Sequence, residues 1–335
     1  MPKNRPDGHK VPYEAWLAVF PADLGKIGYA QLGIQQPAAN ARREIEYLEK
    51  LLRVEFAPDL IERGSGTKSS GAEDALFFCY WRDTGRFGQW QDFMCSGSGW
   101  LRTAGDAGRW LECGVIDLDR TETLYSHKER HTGYSIFLEG VKPSDLHGYW
   151  GAARDRLAAS SHDEFLPEAG ITMERVATGN ANGTLIEVTL PHNLCLIRTT
   201  QDWRHASEWE RDLYGKVTPS LRRGTEFLDS KPVESGCFGA LFVTERDEKW
   251  SSLEKTCVVA FFRSLSDLEK WTRDHPTHHA IYNAANAMMD RLGGRTDLDL
   301  WHEVTVFPKG TFRAVYSKCR PGTGLLGYFP ALGQP

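Results

Sequence analysis

Three histidines in the segment HPTHHAIY, residues 275–282, are the first candidates for chemistry, because imidazole both transfers protons and binds metal ions. Pro276 suits the first turn of a helix, which predicts that His275 lies near the helix N-cap. From His278 onward apolar residues follow at helical spacing, so His278 is predicted to face the protein interior, whereas His279 points further round. An imidazole that faces the interior needs a hydrogen-bond partner there or has a chemical function such as binding a metal ion.

The residues around His278 leave three interpretations open. The first is a hydrogen-bonded core histidine without a chemical role. The second is a zinc site built from His275, His278 and His279, although no cysteine or carboxylate lies at ligand spacing and the side chains point in different directions. The third is an axial ligand of haem iron, because a porphyrin needs apolar walls and an imidazole can hold its iron.

Two further ionisable residues alternate with apolar residues in predicted strands. His302 shares a face with aliphatic side chains in LWHEVTVF, and Arg198 shares a face with two leucines in LCLIRTT. Each can be a packed structural residue, but a histidine in a dry pocket also serves as a general acid or base. A buried guanidinium needs an anionic or strongly accepting partner. Together with His278, these residues predict a site in an apolar interior.

An internal sequence repeat indicates which strands and helices position these residues. The segment FFCYWRDTGRFGQW at 77–90 aligns with VVAFFRSLSDLEKW at 258–271. Further along, WLECGVIDLDRTETLYSH at 110–127 aligns with WHEVTVFPKGTFRAVYSK at 301–318. Each copy contains strands followed by one-sided helices, so the two halves of the chain are predicted to share one scaffold.

This repeat predicts an α+β fold of the dimeric α+β barrel type. Two pseudo-symmetric ferredoxin-like halves, residues 11–180 and 181–335, are expected to form a β-barrel flanked by helices. Their join is expected near the turn-rich segment ATGNANGT, residues 177–184. Helices are predicted at 37–52, where apolar residues recur at helical spacing, and at 143–157.

The composition indicates a soluble globular protein. Of 335 residues 41% are apolar and 25% are charged, and the net charge of -5 comes without a basic stripe that would bind nucleic acid. There is neither an apolar signal core at the start nor a run long enough to span a membrane. Seven scattered cysteines in mostly apolar settings predict a reduced, cytoplasmic protein, and the lack of a CxxCH motif excludes covalent haem attachment.

Several segments resemble the haem-containing aldoxime dehydratases, the phenylacetaldoxime dehydratase group. They are YWGAARDR (149–156), NLCLIRTTQDW (193–203), RSLSDLEKWTRDHPTHHAIY (263–282), LWHEVTVF (300–307) and CRPGTGLL (319–326). The resemblance runs over most of the chain. It implies a pseudo-symmetric α+β barrel that binds non-covalent haem b, ferrous in the active form, and converts R-CH=N-OH into R-C≡N and water.

The resemblance also implies roles for individual residues. The second histidine of the HPTH motif, His278, corresponds to the proximal iron ligand, and His302 corresponds to the distal acid that protonates the leaving hydroxyl. Arg198 is expected beside it in the distal pocket, and Glu164 is the best candidate for a carboxylate that supports it. Gly239 stands where the family commonly has a serine that hydrogen-bonds the oxime hydroxyl, which indicates a variant pocket.

Two other functions remain open as alternatives to a lyase that acts on a small aldoxime. One is a haem-binding or gas-sensing module without oxime turnover, and the other is a haem-free barrel with structural histidines. The sequence does not specify whether an aldoxime substrate is aryl-alkyl or aliphatic. A homodimer is an expectation from similar proteins, and neither nucleic acid nor membrane is an expected partner.

Overall fold

The strands of this protein form one large antiparallel sheet. The computed structural model describes residues 4–36, 41–96, 99–103, 105, 107–130, 132–168, 175–180 and 183–328. Within them the strands are β1 (Trp16–Val19), β2 (Lys26–Gln36), β3 (Leu60–Thr67), β4 (Glu73–Trp81), β5 (Arg109–Asp117), β6 (Thr121–Tyr125), β7 (Gly140–Pro143), β8 (Arg175–Asn180), β9 (Gly183–Val188), β10 (Leu194–Asp202), β11 (Cys237–Arg246), β12 (Ser252–Phe262), β13 (Asp299–Phe307) and β14 (Phe312–Ser317).

The order of the strands in the sheet is β7-β1-β6-β13-β10-β12-β11-β3-β4-β2-β5-β14-β9-β8. The mixed α and β content predicted from the sequence is therefore confirmed. Closure of the sheet into a barrel is not confirmed, because β7 pairs with β1 alone and β8 with β9 alone within the described residues. Strands β8 and β9 pair across the predicted join at 177–184, of which residues 181 and 182 lie outside the described ranges.

Seven α-helices accompany the sheet in the described ranges. They are α1 (Ala41–Leu51), α2 (Thr84–Cys95), α3 (Ala152–Arg156), α4 (Glu208–Ser230), α5 (Pro232–Ser235), α6 (Leu265–Asp274) and α7 (Pro276–Arg291). Ser207 and Glu210 form a reciprocal capping box that fixes the start of α4. The long helix α4 packs on α7 and on β11, so these two helices lie over the second half of the sheet.

Two predicted helices are shorter than expected. The helix predicted at 37–52 begins at Ala41, and residues 37–40 lie outside the described ranges. The helix predicted at 143–157 is reduced to α3, because Gly148 and Gly151 adopt positive φ angles of 77° and 88°. These left-handed conformations interrupt an α-helix and are accessible to glycine at little cost.

Strand β10 is buried on both faces. Leu194 and Leu196 belong to an apolar cluster on one side of the sheet, whereas Cys195 belongs to a cluster on the other side with residues of α4 and α6. Alternate side chains of β10 therefore point into two different apolar interiors, and neither face of the strand points to solvent. Among the described residues no helix has the length and apolar character needed to cross a membrane.

Candidate active site

A cavity of about 490 Å³ lies between the helices and the second half of the sheet. Its volume is in the usual range for small-molecule and cofactor sites. The helix wall is mostly apolar and is contributed by α4, α6 and α7, with Tyr214, Val217, Leu221, Leu265, Leu268, Trp271, His278, Ile281, Ala285 and Met288. The sheet wall is contributed by β6, β10, β12 and β13, with Leu124, Ile197, Thr199, Gln201, Val258, Ala260, Leu300, His302 and Val304.

His278 lies on the helix wall, as the helical spacing predicted. Its Nδ1 atom is buried and makes no hydrogen bond of good geometry within the described residues, although the backbone of Thr272 lies close enough to favour the protonated ring. The rings of Trp271 and Trp150 meet the imidazole edge-on, with centroids 4.8 and 5.7 Å away. Burial lowers the pKa of His278 to about 4, so the ring is neutral at pH 7. A neutral imidazole in an apolar cavity has the form required to bind haem iron.

The neighbouring histidines have local structural roles. His275 caps α7, where its Nδ1 atom accepts the amide N–H of Thr277 at 3.2 Å. The Nε2 atom of His279 lies 2.6 Å from the carbonyl oxygen of Arg273. In the described part of the chain, no group of three or more His, Cys, Asp or Glu side chains is placed to hold a metal ion. The three histidines therefore do not converge as the zinc interpretation requires.

His302 lies on the sheet wall, in contact with a buried ion pair. Its Nε2 atom is 3.1 Å from Oε1 of Glu122 and 2.9 Å from Nη2 of Arg156. Arg156 also donates two hydrogen bonds of 2.8 Å to the Glu122 carboxylate. Although burial raises the pKa of Glu122, the charges of Arg156 and His302 outweigh burial and lower it to about 2.

This arrangement suits two protonation states of His302. A guanidinium only donates hydrogen bonds and a carboxylate only accepts them. The Nε2 atom of the neutral ring can therefore accept from Arg156, and the same atom of the protonated ring can donate to Glu122. Both of these contacts involve Nε2, which leaves Nδ1 for proton exchange. His302 can thus act as a proton carrier beside a fixed ion pair.

Thr199 lies directly opposite His302 in the antiparallel pair of β10 and β13. Side chains at such paired positions are neighbours, and both line the cavity. The Nε2 atom of Gln201 donates to Oγ1 of Thr199 at 3.3 Å. In turn, the Oε1 atom of Gln201 accepts from Thr256 at 3.1 Å, which fixes the orientation of the amide. The hydroxyl proton of Thr199 is therefore free to be donated into the cavity.

Arg198 lies elsewhere, and this placement corrects its expected position beside His302. It faces away from the cavity, because alternate residues of β10 point to opposite sides of the sheet. The guanidinium is fully buried, forms ion pairs with Glu62 and Glu245, and donates a hydrogen bond of 2.9 Å to the hydroxyl oxygen of Tyr80. It therefore has anionic partners, as a buried arginine requires, but they belong to the opposite interior.

Two other expected positions are also corrected. Glu164 is exposed and is not among the residues of the cavity, so the carboxylate beside His302 is Glu122. Gly239 is absent from the cavity wall as well. A Cβ atom at Gly239 would lie 2.6 Å from the backbone oxygen of Gly324, which leaves no room for a serine side chain. The hydroxyl that faces the cavity near His302 is that of Thr199.

Sequence reasoning missed Glu122, Arg156 and Thr199. Glu122 shares a strand face with the apolar Leu124, as His302 shares a face with aliphatic side chains in its own strand. Arg156 is the second of two arginines in the segment YWGAARDR, which carries the family resemblance without indicating a role for either. Thr199 follows Arg198 directly, so the strand was identified correctly but the opposite face was chosen.

Comparisons with known proteins identify the family of this chain. The sequence model of haem-containing dehydratases matches residues 30–325. Phenylacetaldoxime dehydratase of Bacillus sp. (strain OxB-1) is 33% identical over 98% of this chain and 95% of its own length. An aliphatic aldoxime dehydratase of Rhodococcus globerulus is 29% identical over 97% and 94%.

Solved structures give the same result. The crystal structure of an aldoxime dehydratase in complex with butyraldoxime superimposes with a TM-score of 0.87 at 26% identity, over 97% of this chain and 92% of that one. A second aldoxime dehydratase structure superimposes with a TM-score of 0.84 at 27% identity, over 96% and 93%. With a family model that matches residues 30–325 and a relative 33% identical over nearly all of the chain, this chain belongs to the haem-containing dehydratases.

Proposed function

We propose that this protein is an aldoxime dehydratase, a lyase that uses haem to convert R-CH=N-OH into R-C≡N and water. The observation that carries the proposal is the placement of His278 and His302 on the two walls of one apolar cavity. One histidine is suited to hold iron and the other to transfer a proton. The curated relatives act on phenylacetaldoxime and on aliphatic aldoximes, and a structural relative binds butyraldoxime.

His278 is proposed to hold non-covalent haem b from the helix wall. The apolar side chains of α4, α6 and α7 supply the surroundings that a porphyrin needs, and Trp271 and Trp150 restrain the imidazole ring. When bound in its ferrous form, haem iron offers a coordination position for the oxime nitrogen and electron density that weakens the N–O bond. The remaining chemistry belongs to the sheet wall.

His302 is proposed to supply and recover the proton of the dehydration. Protonated His302 donates from Nδ1 to the oxime oxygen, and the N–O bond breaks as its electron pair leaves with water. The neutral ring then removes the proton from the oxime carbon, and the C–H electron pair completes the C≡N bond. In both steps the proton on Nε2 stays hydrogen-bonded to Glu122, and Arg156 holds that carboxylate with two hydrogen bonds, so Arg156 takes the position expected of Arg198.

Thr199 is proposed to orient the substrate oxygen. Replacing Thr199 with valine, which keeps the shape but removes the hydroxyl, is expected to lower kcat/KM about 10-fold, because one hydrogen bond of about 1 to 3 kcal/mol is lost. Thr199→Ser retains the hydroxyl and is the matched control, for which we expect activity close to that of the parent. Equal steady-state kinetics of the valine variant and the parent would show that the hydroxyl does not contact the substrate.

The proposed activity is tested with one sample. Protein reconstituted with haem is reduced anaerobically with dithionite, and absorption spectra are recorded before and after adding phenylacetaldoxime or butyraldoxime. We expect a shift of the ferrous Soret band and the appearance of the corresponding nitrile by chromatography. A haem-loaded protein that neither shifts nor forms nitrile with both oximes would instead support a haem-binding or gas-sensing module.

The two ferredoxin-like halves and their cytoplasmic location are further parts of the proposal. The sheet order β5-β2-β4-β3 in the first half corresponds to β13-β10-β12-β11 in the second, and in each half the chain runs βαββαβ. This correspondence supports two units, for which we propose the bounds 11–180 and 181–335. All seven cysteines are free thiols, which supports a reducing compartment.

A further inference from the structure

His147 is a second histidine of the cavity that the proposed reaction does not use. It lies in the loop between β7 and α3, lines the cavity, and is only 2% exposed. Neither of its ring nitrogens makes a hydrogen bond of good geometry within the described residues, although the backbone of Ser144 lies close enough to favour the protonated ring. Burial and the nearby charge of Arg156 lower the pKa of His147 to about 4, so the ring is neutral and carries one N–H.

The position of this ring is firmly held. Its carbonyl oxygen lies 2.8 Å from Nε2 of His9, and its ring packs against that of Tyr13 with centroids 4.9 Å apart. The next residue, Gly148, has a positive φ of 77° and leaves no space for a side chain against Pro12. A polar ring that is buried, fixed and unpartnered is rare in native proteins, since each such group costs free energy. A bound molecule is therefore expected to complete it.

The surroundings of His147 identify this side of the cavity as its mouth. Tyr13, which packs against His147, and Trp150, three residues after His147, both line the cavity and are 36% and 41% exposed. Haem b carries its two carboxylates on one edge of an otherwise apolar ring. Because burying a carboxylate without partners is costly, that edge is expected to face the mouth.

Charged partners for a carboxylate are scarce at this site. Among the described residues of the cavity wall there is no lysine, and the single arginine is Arg156. Its guanidinium already bonds Glu122, the carbonyl oxygen of Leu146 and His302. The neutral N–H of His147 is thus the available buried donor near the mouth.

We propose that His147 donates a hydrogen bond to a carboxylate of the haem and so fixes the edge of the ring at the mouth of the cavity. This inference rests on the proposed function, because it requires haem in this cavity. It assigns His147 to cofactor binding and orientation rather than to proton transfer. A carboxylate is a stronger acceptor than an ester, which provides a direct test.

The test compares the parent protein, His147→Phe, His147→Asn and His147→Gln, each loaded with haem b or with its dimethyl ester. The measured quantity is the rate of haem loss to excess apomyoglobin. We expect His147→Phe to lose haem b roughly 10- to 100-fold faster than the parent, because a bond to a charged acceptor is removed. With the dimethyl ester, the rates of loss from the parent and from His147→Phe should differ by less than about threefold. An asparagine or glutamine whose amide reaches the carboxylate should restore retention of haem b.

Each other result has a distinct meaning. Equal acceleration of loss for haem b and its ester would assign His147 a packing role and overturn the proposal. Unchanged retention in His147→Phe, together with a raised KM for the oxime, would show that the partner is the substrate instead. A parent protein that takes up no haem would overturn the proposed function itself, which the parent's Soret band reports before any variant is compared.

Discussion

Replacing His278 with alanine is expected to abolish stoichiometric haem binding. His278 is a neutral imidazole and the one histidine among the described residues of the mostly apolar helix wall. Removing it leaves the porphyrin without a ligand to its iron, so we expect the Soret band of the purified variant to disappear and nitrile formation to fall below detection. The measurements are haem content per chain and the nitrile assay on the same sample.

His279→Ala is the matched control for this experiment. His279 is the adjacent residue, but its Nε2 atom contacts the carbonyl oxygen of Arg273 and the residue does not line the cavity. We expect that variant to retain one haem per chain. A His278→Gly variant that recovers haem binding when imidazole is added to the buffer would separate loss of a ligand from loss of folding. Full haem content in His278→Ala would show that another residue holds the iron.

The second large effect is expected for His302→Ala, which should lower kcat by about 10²- to 10⁴-fold while haem remains bound. The variant loses the group that protonates the leaving hydroxyl, whereas the proposed iron ligand stands on the opposite wall. We therefore expect an intact Soret band, a normal spectral shift on binding of the oxime to ferrous protein, and very slow nitrile formation. Stopped-flow spectra and single-turnover nitrile assays measure these steps separately.

His127→Ala controls for the loss of a histidine near the same strands. His127 lies outside the cavity, where its Nδ1 atom is 2.7 Å from Asp299. Its replacement is expected to leave kcat within about twofold of the parent, because the group lies outside the site of proton transfer. If His302→Ala retained the parental kcat, the proton would have to come from another donor, and the assignment of the sheet wall as the reactive wall would be wrong.

These two results also distinguish the enzyme from its alternatives. A haem-binding or gas-sensing module would share the loss of haem in His278→Ala, but it would have no nitrile formation for His302→Ala to reduce. A haem-free barrel with structural histidines would have neither response. The combination of haem loss at one wall and loss of turnover at the other is specific to the proposed dehydratase.

Local periodicity predicted which side chain of the helix wall faces the cavity, but it did not predict which side chains of the sheet wall do. Helical spacing placed His278 toward the interior because a helix on a sheet has one buried face. Strand alternation placed Arg198 correctly in an apolar interior, yet β10 is buried on both faces, and the cavity is on the other one. For the same reason Thr199 was missed: it is the next residue after Arg198 and its side chain points to the opposite face of β10.

The sequence by itself determined the mixed α and β content, the inward-facing His278, the strand that carries His302 and the family resemblance. All of these depend on patterns within a few residues or within one motif. Only the tertiary structure decided which groups meet His302, because Glu122 and Arg156 lie 180 and 146 residues away along the chain. Strand order and register place Glu122 of β6 beside β13 and Thr199 opposite His302, whereas Arg156 comes from α3. A one-residue change of register would send each side chain to the other face, so the site depends on pairing that no local pattern specifies.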